Sequence, residues 1–377
     1  MLEELTPQST SRLGIHPALP GRDYHDPAVY EVERERVFHR TWFCVGREEQ
    51  APEPGDFLTR DVAGEDVLIT RTKTRELAAF YNVCRHRGSV LCDWPEGHTK
   101  GAIVCPYHNW TYAMDGELIG TPNVHANDGL DRSAFGLRPV NLDVWDGFVF
   151  VNLADEPVPL LEQLAIEPDG PLSYERYRTG ELRIGARVVY EIEANWKIVV
   201  DNYNECLHCP SVHPELTAIV PIYRKGIVLD DERGDGGVTL AEGAYTFATD
   251  GVSKLPLLPD LEEIDCRTYY GYSVFPNLLV NLLSTGVMAY TLFPKGSAHT
   301  TVVSEYLYRP ETIAADGFDP SDMVEFLDLV SRQDWSVCER AQRGVGSKGF
   351  VQGVYPPQDY LLHLFAERYL DVRGPIS

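Results

Sequence analysis

Two short segments constrain this chain more than any other feature: Cys84-Arg85-His86-Arg87-Gly88 and Cys105-Pro106-Tyr107-His108. Each supplies one thiolate and one imidazole. Zinc fingers tend to pair Cys with Cys and His with His along the chain; here both ligand types are split evenly between two loops. A [2Fe–2S] cluster with two Cys on one iron and two His on the other suits that division, because each loop then sends one ligand to each iron. Imidazoles in place of thiolates make the site less anionic and raise its potential above that of a four-Cys cluster.

Both segments lie in β texture. From Trp42 to about Leu153, apolar runs at 66–70, 77–81 and 147–151 are separated by Gly, Pro and Asp turns, which predicts an antiparallel β-domain. Before it stands a Pro-rich lead (Pro17, Pro20, Pro27) and a helix over 28–39 that starts on the cap Asp26-Pro27. After it the pattern predicts a helix at 158–166 and a strand at 180–194. The stretch 196–209, free of internal Gly and Pro, reads as helix. Strand texture returns over 226–308, at 238–240, 268–274, 278–283 and 300–308. Helices follow from about 321 to 343 and near 358–369. Strands followed by helices indicate an α+β class. A chain of 377 residues can build more than one core. We read a helical lead over 1–40, a β-domain over 41–155 and a second domain over 156–377.

The second constellation lies in Asn195-Trp196-Lys197 and Asp201-Asn202-Tyr203-Asn204-Glu205-Cys206-Leu207-His208-Cys209-Pro210-Ser211-Val212-His213. On a continuous helix Asp201, Glu205 and His208 share one face. Burying two carboxylates and an imidazole in one stripe is costly unless something neutralises them. His213, beyond Pro210, approaches from a turn. Two His ligands leave a facial metal site short of one carboxylate. The 321–343 helix offers Asp334, on a stripe with Met323, Leu327, Val330, Val337, Cys338 and Ala341, whereas Asp328 points nearly opposite.

Composition removes other classes. The formal net charge of −24 argues against a nucleic-acid partner and against anionic membranes. No apolar stretch is long enough to span a bilayer, and the acidic start Met1-Leu2-Glu3-Glu4-Leu5-Thr6 lacks the features of a secretory signal, so a cytoplasmic location is expected. The eight cysteines are few and irregularly spaced, which does not resemble a disulfide framework. Metal ligation is expected for some, and burial as small apolar residues for the rest, Cys92 among them.

These residues carry a resemblance. The segment Cys105-Pro106-Tyr107-His108-Asn109-Trp110-Thr111-Tyr112 is similar to the Cys-Pro-Tyr-His-Gly-Trp-Thr-Tyr of Rieske oxygenases, with Asn109 where Gly is frequent. The Glu-x-x-His-x(4)-His run after Asn-Trp-Lys resembles the mononuclear iron motif of the same family. His208 and His213 match its two His ligands, and Asp334 matches the Asp of its Glu-Asp segment, with Gln333 where Glu is usual. Glu205 matches the acid that, in the family, bridges the Rieske cluster of one subunit and the iron of its neighbour, which implies His108 as the cross-subunit partner. Asp201 is the alternative bridge on facing grounds.

The resemblance implies an antiparallel all-β Rieske [2Fe–2S] domain and a C-terminal catalytic domain whose antiparallel sheet is flanked by helices. It also implies a mononuclear Fe(II), a head-to-tail homotrimer, and a small-molecule substrate oxidised with O2. No G-x-G-x-x-G opens a strand–helix unit, so NAD(P)H is expected to act only indirectly, through a separate flavin or ferredoxin reductase.

The run 201–210 looks most like enzymes acting on quaternary ammonium compounds, the glycine betaine, carnitine and choline monooxygenases. A methylammonium group favours aromatic faces, and the second half holds Tyr203, Tyr269, Tyr270, Tyr272, Tyr290, Tyr306 and Tyr308. Tyr203, next to the metal segment, is the candidate substrate contact. The alternatives are an oxygenase acting on an aromatic acid and a purely electron-transferring Rieske protein.

Overall fold

The computed structural model describes residues 14–376 apart from 123, 126–127, 167–169 and 229–235. The acidic start at 1–6 lies outside them. The chain divides into two compact units, residues 38–160 in one and 1–37 with 161–377 in the other.

The unit at 38–160 is antiparallel β. Its seven-stranded sheet runs β2 (Phe43–Arg47), β11 (Phe148–Asn152), β10 (Pro139–Trp145), β5 (Leu77–Tyr81), β4 (Glu65–Arg71), β3 (Asp56–Val62) and β6 (Glu96–His98). A smaller sheet joins β7 (Ala102–Val104), β8 (Thr111–Ala113) and β9 (Leu118–Gly120). Between them lies an apolar cluster of Phe57, Leu68, Phe80, Trp110, Tyr112 and Met114 that also includes Cys84 and Cys105. The two thiols are therefore part of a core packed mainly by aromatic and long aliphatic side chains.

In the other unit, β1 (His16–Pro20) pairs antiparallel with β18 (Gln352–Tyr355), a contact between the chain's two ends that no local pattern announces. Helix α1 (Pro27–Glu33) starts where Asp26 and Pro27 predict, the Asp26 carboxylate accepting from the Ala28 N–H at 2.9 Å. It widens into a π-turn over Arg34–Phe38. Helix α2 (Leu160–Leu164) spans the junction of the two units.

The main sheet runs β12 (Arg183–Ile192), β17 (His299–Tyr308), β16 (Gly286–Gly296), β15 (Leu278–Leu283), β14 (Thr268–Val274) and β13 (Gly237–Thr239), all antiparallel. β15 is buried throughout, the mark of a strand covered on both faces, while β14 alternates buried and half-buried residues with period two. Helices α3 (Trp196–Tyr203) and α6 (Ser321–Val345) pack on each other, and α7 (Tyr360–Arg373) closes the chain.

The predicted 196–209 helix is shorter than its composition suggests. α3 begins on the Asn195 cap, whose side chain accepts from the Lys197 N–H at 3.0 Å, but it stops at Tyr203. The Glu205 carboxylate then draws the Leu207 and His208 N–H groups to itself, which diverts them from helix bonding. A Cys206–Cys209 disulfide closes the turn, and Pro210 starts the next helix, α4 (Cys209–Val212). Asp201, Glu205 and His208 therefore do not share one helical face. The disulfide also corrects the expectation that these cysteines are free thiols. Cys92 is a buried free thiol whose pKa burial pushes up to about 11.

Candidate metal centres

The two Cys–His loops are structural twins. In the first, the Cys84 carbonyl accepts from the Gly88 N–H at 3.0 Å and the Cys84 N–H donates to the Ser89 carbonyl at 2.8 Å. In the second, the Cys105 carbonyl accepts from the Asn109 N–H at 3.0 Å and the Cys105 N–H donates to the Trp110 carbonyl at 2.8 Å. Each loop turns on a left-handed residue at the same place, Gly88 at φ 71° and Asn109 at φ 57°. Asn is among the non-glycine residues that adopt this conformation most readily, so its departure from Gly preserves the turn.

The twin loops sort their donors by type. The Cys84 and Cys105 thiols interact with each other, and the His86 and His108 rings meet edge to face at 4.7 Å between centroids. His86 stacks on Trp110 at 4.7 Å, and its buried Nδ1 has no hydrogen-bond partner. Burial works to raise the Cys105 thiol, but the Tyr107 and His108 N–H groups and the Cys84 and Ser89 side chains outweigh it and hold the pKa low, which favours the ligating thiolate. Two sulfurs together, two imidazoles together and an unmatched ring nitrogen fit a cluster with one Cys-bound and one His-bound iron.

Tyr112 was not singled out from the sequence. Its hydroxyl lies 3.4 Å from the Cys84 sulfur and accepts from the Arg85 N–H at 3.0 Å. With that acceptor position filled, its proton is free to point at the sulfur.

The second centre gathers residues from the α3–α4 turn, the start of α5 (Pro214–Ile219) and the middle of α6. His208, His213 and Asp334 each offer a ligand atom, all within 4.8 Å of one another. Asp334 Oδ1 lies 2.7 Å from His213 Nε2 and 3.2 Å from His208 Nε2. Burial would raise the Asp334 carboxyl, yet the two imidazoles hold its pKa below the ordinary range. Burial lowers His208, and Asp334 and Glu205 more than reverse this, lifting it to about 9. This donor set wants a cation, and two imidazoles with one carboxylate suit non-heme Fe(II).

The stripe on α6 is only partly as predicted. Met323, Leu327, Val330 and Cys338 are buried, but Ala341 is exposed and its neighbour Gln342 takes the buried position. Asp334 is half-buried at the stripe's edge, where it reaches the histidines. Asp328 faces away, accepting from Tyr190 at 2.7 Å and pairing with Arg332.

Glu205, not Asp201, meets the ligand set: His208 Nδ1 donates to Glu205 Oε1 at 2.5 Å. One Asp201 oxygen accepts from the Tyr24 hydroxyl at 2.7 Å, and the other is buried without a partner. Two polar neighbours were not read as site residues from the sequence. Asn202 Nδ2 lies 3.3 Å from His208 Nε2, and Gln333 Oε1 lies 2.7 Å from His213 Nδ1.

Of the seven tyrosines, Tyr203, Tyr269 and Tyr290 lie together, and Tyr290 feels the Asp334 carboxylate. Tyr203 and Tyr290 meet edge to face at 6.4 Å, Tyr290 meets Trp335 at 5.8 Å, and Tyr269 packs on Phe247 at 4.8 Å. The Tyr203 and Tyr269 hydroxyls are spent internally, on the Val280 carbonyl at 2.8 Å and Asn281 Oδ1 at 2.7 Å. Tyr270 and Tyr272 instead pack around Tyr174. A cavity of about 430 Å³ lies elsewhere, around Leu19, His363 and Arg373, and holds none of the site residues.

Comparison with known proteins agrees with both centres. Residues 41–140 match the Rieske [2Fe–2S] domain, and residues 179–374 match the ring hydroxylating alpha subunit (catalytic domain). The glycine betaine monooxygenase oxygenase subunit of Chromohalobacter salexigens is 29% identical, covering 91% of this chain and 82% of its own. The carnitine monooxygenase oxygenase subunit of Escherichia coli K12 is 31% identical, covering 88% and 85%. A crystal structure of the quaternary ammonium Rieske monooxygenase CntA superposes with a TM-score of 0.76 at 27% identity, over 97% of this chain and 99% of the other. Naphthalene 1,2-dioxygenase from Rhodococcus sp. shares the fold, at a TM-score of 0.71 and 21% identity, over 94% of each chain. The chain belongs to the ring-hydroxylating alpha-subunit family and is a Rieske-type oxygenase built for a [2Fe–2S] cluster and a mononuclear iron.

Proposed function

We propose that Cys84, His86, Cys105 and His108 hold the cluster within a 41–155 domain. His208, His213 and Asp334 hold the mononuclear iron within a 156–377 domain. The reaction is hydroxylation, and hence N-demethylation, of a small quaternary ammonium substrate such as glycine betaine or a related betaine, with electrons from a separate reductase. The observation that carries this reading is the convergence of two imidazoles and one carboxylate beside a cluster of aromatic rings.

When bound, the iron supplies activation of O2. The protein's part is to hold three donors on one side, so that the remaining positions stay open. Glu205 accepts from His208 Nδ1, so Nε2, which faces Asp334, is the nitrogen that a bound iron would take. Its other oxygen is fixed by the Leu207 and His208 N–H groups. Leu207 is 44% exposed, so the turn that carries Glu205 reaches the surface. That placement supports a head-to-tail homotrimer in which Glu205 passes electrons from His108 of the partner subunit. A solved relative is described in terms of inter-subunit electron transfer.

The substrate assignment rests on Tyr203, Tyr269, Tyr290 and Trp335. An aromatic face open to the site stabilises a methylammonium group by about 0.5–2 kcal/mol. Incubation with a compatible reductase, NADH and a panel of betaines and aromatic acids tests it. Formaldehyde release from a betaine is expected. Hydroxylated aromatic acids without formaldehyde would replace this reading with the aromatic one. Electron uptake without any O2-dependent product would leave an electron-transfer protein.

A further inference from the structure

His213 is 1% exposed, and both of its ring nitrogens are engaged. Nε2 faces Asp334 Oδ1 at 2.7 Å, and Nδ1 faces Gln333 Oε1 at 2.7 Å. Gln333 Nε2 in turn donates to Glu215 Oε2 at 3.2 Å. Gln333 and Asp334 are consecutive on α6 and address the two nitrogens of one ring, while Glu215 follows His213 at the start of α5.

This line has a direction. A carboxylate can only accept, whereas a primary amide accepts at one end and donates at the other. Glu215 therefore claims the NH2 of Gln333 and leaves the amide carbonyl toward His213. A carbonyl also only accepts, so Nδ1 of His213 carries a proton, and Nε2, the nitrogen that faces Asp334 Oδ1, is the one left to give to a metal. Turning the amide over would set its NH2 against Nδ1 and its carbonyl against a carboxylate, at the cost of both hydrogen bonds.

We propose that Glu215 and Gln333 are positioning residues that fix the tautomer and ring orientation of His213 through a polarised amide. The proposal rests on the reading of His208, His213 and Asp334 as iron ligands.

The choice of an amide is informative beside the other histidine. His208 Nδ1 is held by a carboxylate, Glu205, at 2.5 Å. The centre thus already gathers Asp334 and Glu205. A second carboxylate against His213 would bury further negative charge without a counter-ion. Gln333 orients the ring and adds no charge, while the charge that sets its direction, Glu215, stands one hydrogen bond further out.

Iron affinity of the full-length, cluster-loaded protein tests this, measured by competition with a ferrous chelator under anaerobic conditions. Outer partners of metal-bound histidines typically contribute about 10–100-fold in affinity. Gln333→Leu is expected to lose on that order, and Glu215→Gln, which frees the amide to turn, to lose roughly tenfold. Gln333→Glu still accepts from Nδ1 but adds a charge beside Glu215, so it is expected to keep more affinity than Gln333→Leu and less than the native chain. Visible cluster absorbance and the melting temperature of the iron-free protein are read on each variant, and Glu215→Gln, the mildest change, guards against a folding defect in the others.

Native affinity in both Gln333→Leu and Glu215→Gln would overturn the proposal, as would a loss in Gln333→Glu equal to that in Gln333→Leu. His208→Ala separates this from failure of the underlying reading. If it keeps the mononuclear iron, the ligand assignment itself is wrong; if it alone loses iron, only the amide relay is.

Discussion

The Lys197 ammonium donates to the Glu33 carboxylate, and both side chains are wholly withdrawn from water. Glu33 also accepts from the Trp196 indole at 3.0 Å and the Tyr369 hydroxyl at 2.6 Å. One acid from α1 thus ties the first turn of α3 to the final helix α7. Removing one partner of a buried pair leaves a bare charge, at a cost of about 3–5 kcal/mol. Glu33→Gln is expected to lower the unfolding free energy of the catalytic unit by that amount, read from the shift of its denaturant midpoint at constant m. A change below about 1 kcal/mol, of the size typical for exposed pairs, would contradict it.

Asp334→Asn weakens the only carboxylate of the proposed iron ligand set. Oxygenation is expected to stop and iron content to fall by about one atom per chain, with the cluster's visible spectrum unchanged. Loss of cluster colour in this variant would mean that the two centres have been assigned wrongly.

Asp201 carries the pH dependence. Burial raises its carboxyl to about 7; Tyr24 and Lys197 pull it down, while Glu205 and Asp359 push it up. In the unfolded chain the group titrates near ~3.9. Between those values the folded chain holds a proton that the unfolded chain has released, so this group's contribution to stability falls as pH rises from about 4 to about 7. Asp201→Asn cannot ionise. Its melting temperature relative to the native chain is expected to rise from pH 5 to pH 8, and a difference that does not change with pH would refute the assignment.

Tyr112→Phe removes a hydroxyl positioned to donate to the Cys84 sulfur. Such bonds stabilise the reduced, more negative cluster. A bond worth about 1 kcal/mol corresponds to roughly 45 mV in a one-electron couple. Redox titration should find the potential lower by that order; an unchanged or higher value would show that the hydroxyl does not donate to the sulfur.

Much of the β-domain and of the long α6 helix was legible, because both depend on local periodicity and on turn residues. The proposed donors at 84, 86, 105 and 108 stand out in the sequence because ligand chemistry restricts spacing more tightly than packing does. Asp334 emerged from a helical stripe, although Ala341 and Gln342 show that such a stripe is located only to within a residue. What escaped depends on side chains acting against local propensity or across long distances. Residues 204–208 look helical, but the Glu205 carboxylate takes the N–H groups of Leu207 and His208. The pairing of 16–20 with 352–355 joins the ends of the chain, and Pro17 and Pro20 disguise the first strand. Cysteine counting looks for frameworks and passes over a single local pair such as Cys206 and Cys209.

The bond between Tyr369 and Glu33 has a consequence for synthesis. The unit at 38–160 is continuous, so its two Cys–His loops are free to fold soon after they leave the ribosome. The other unit is closed by contacts between its first and last elements: β1 with β18, and Glu33 with Tyr369. It can be completed only after the last helix has emerged, and such long loops must be closed before their contacts contribute. Within each nascent chain the unit at 38–160 is therefore able to close first, and the unit that carries the proposed iron ligands closes last.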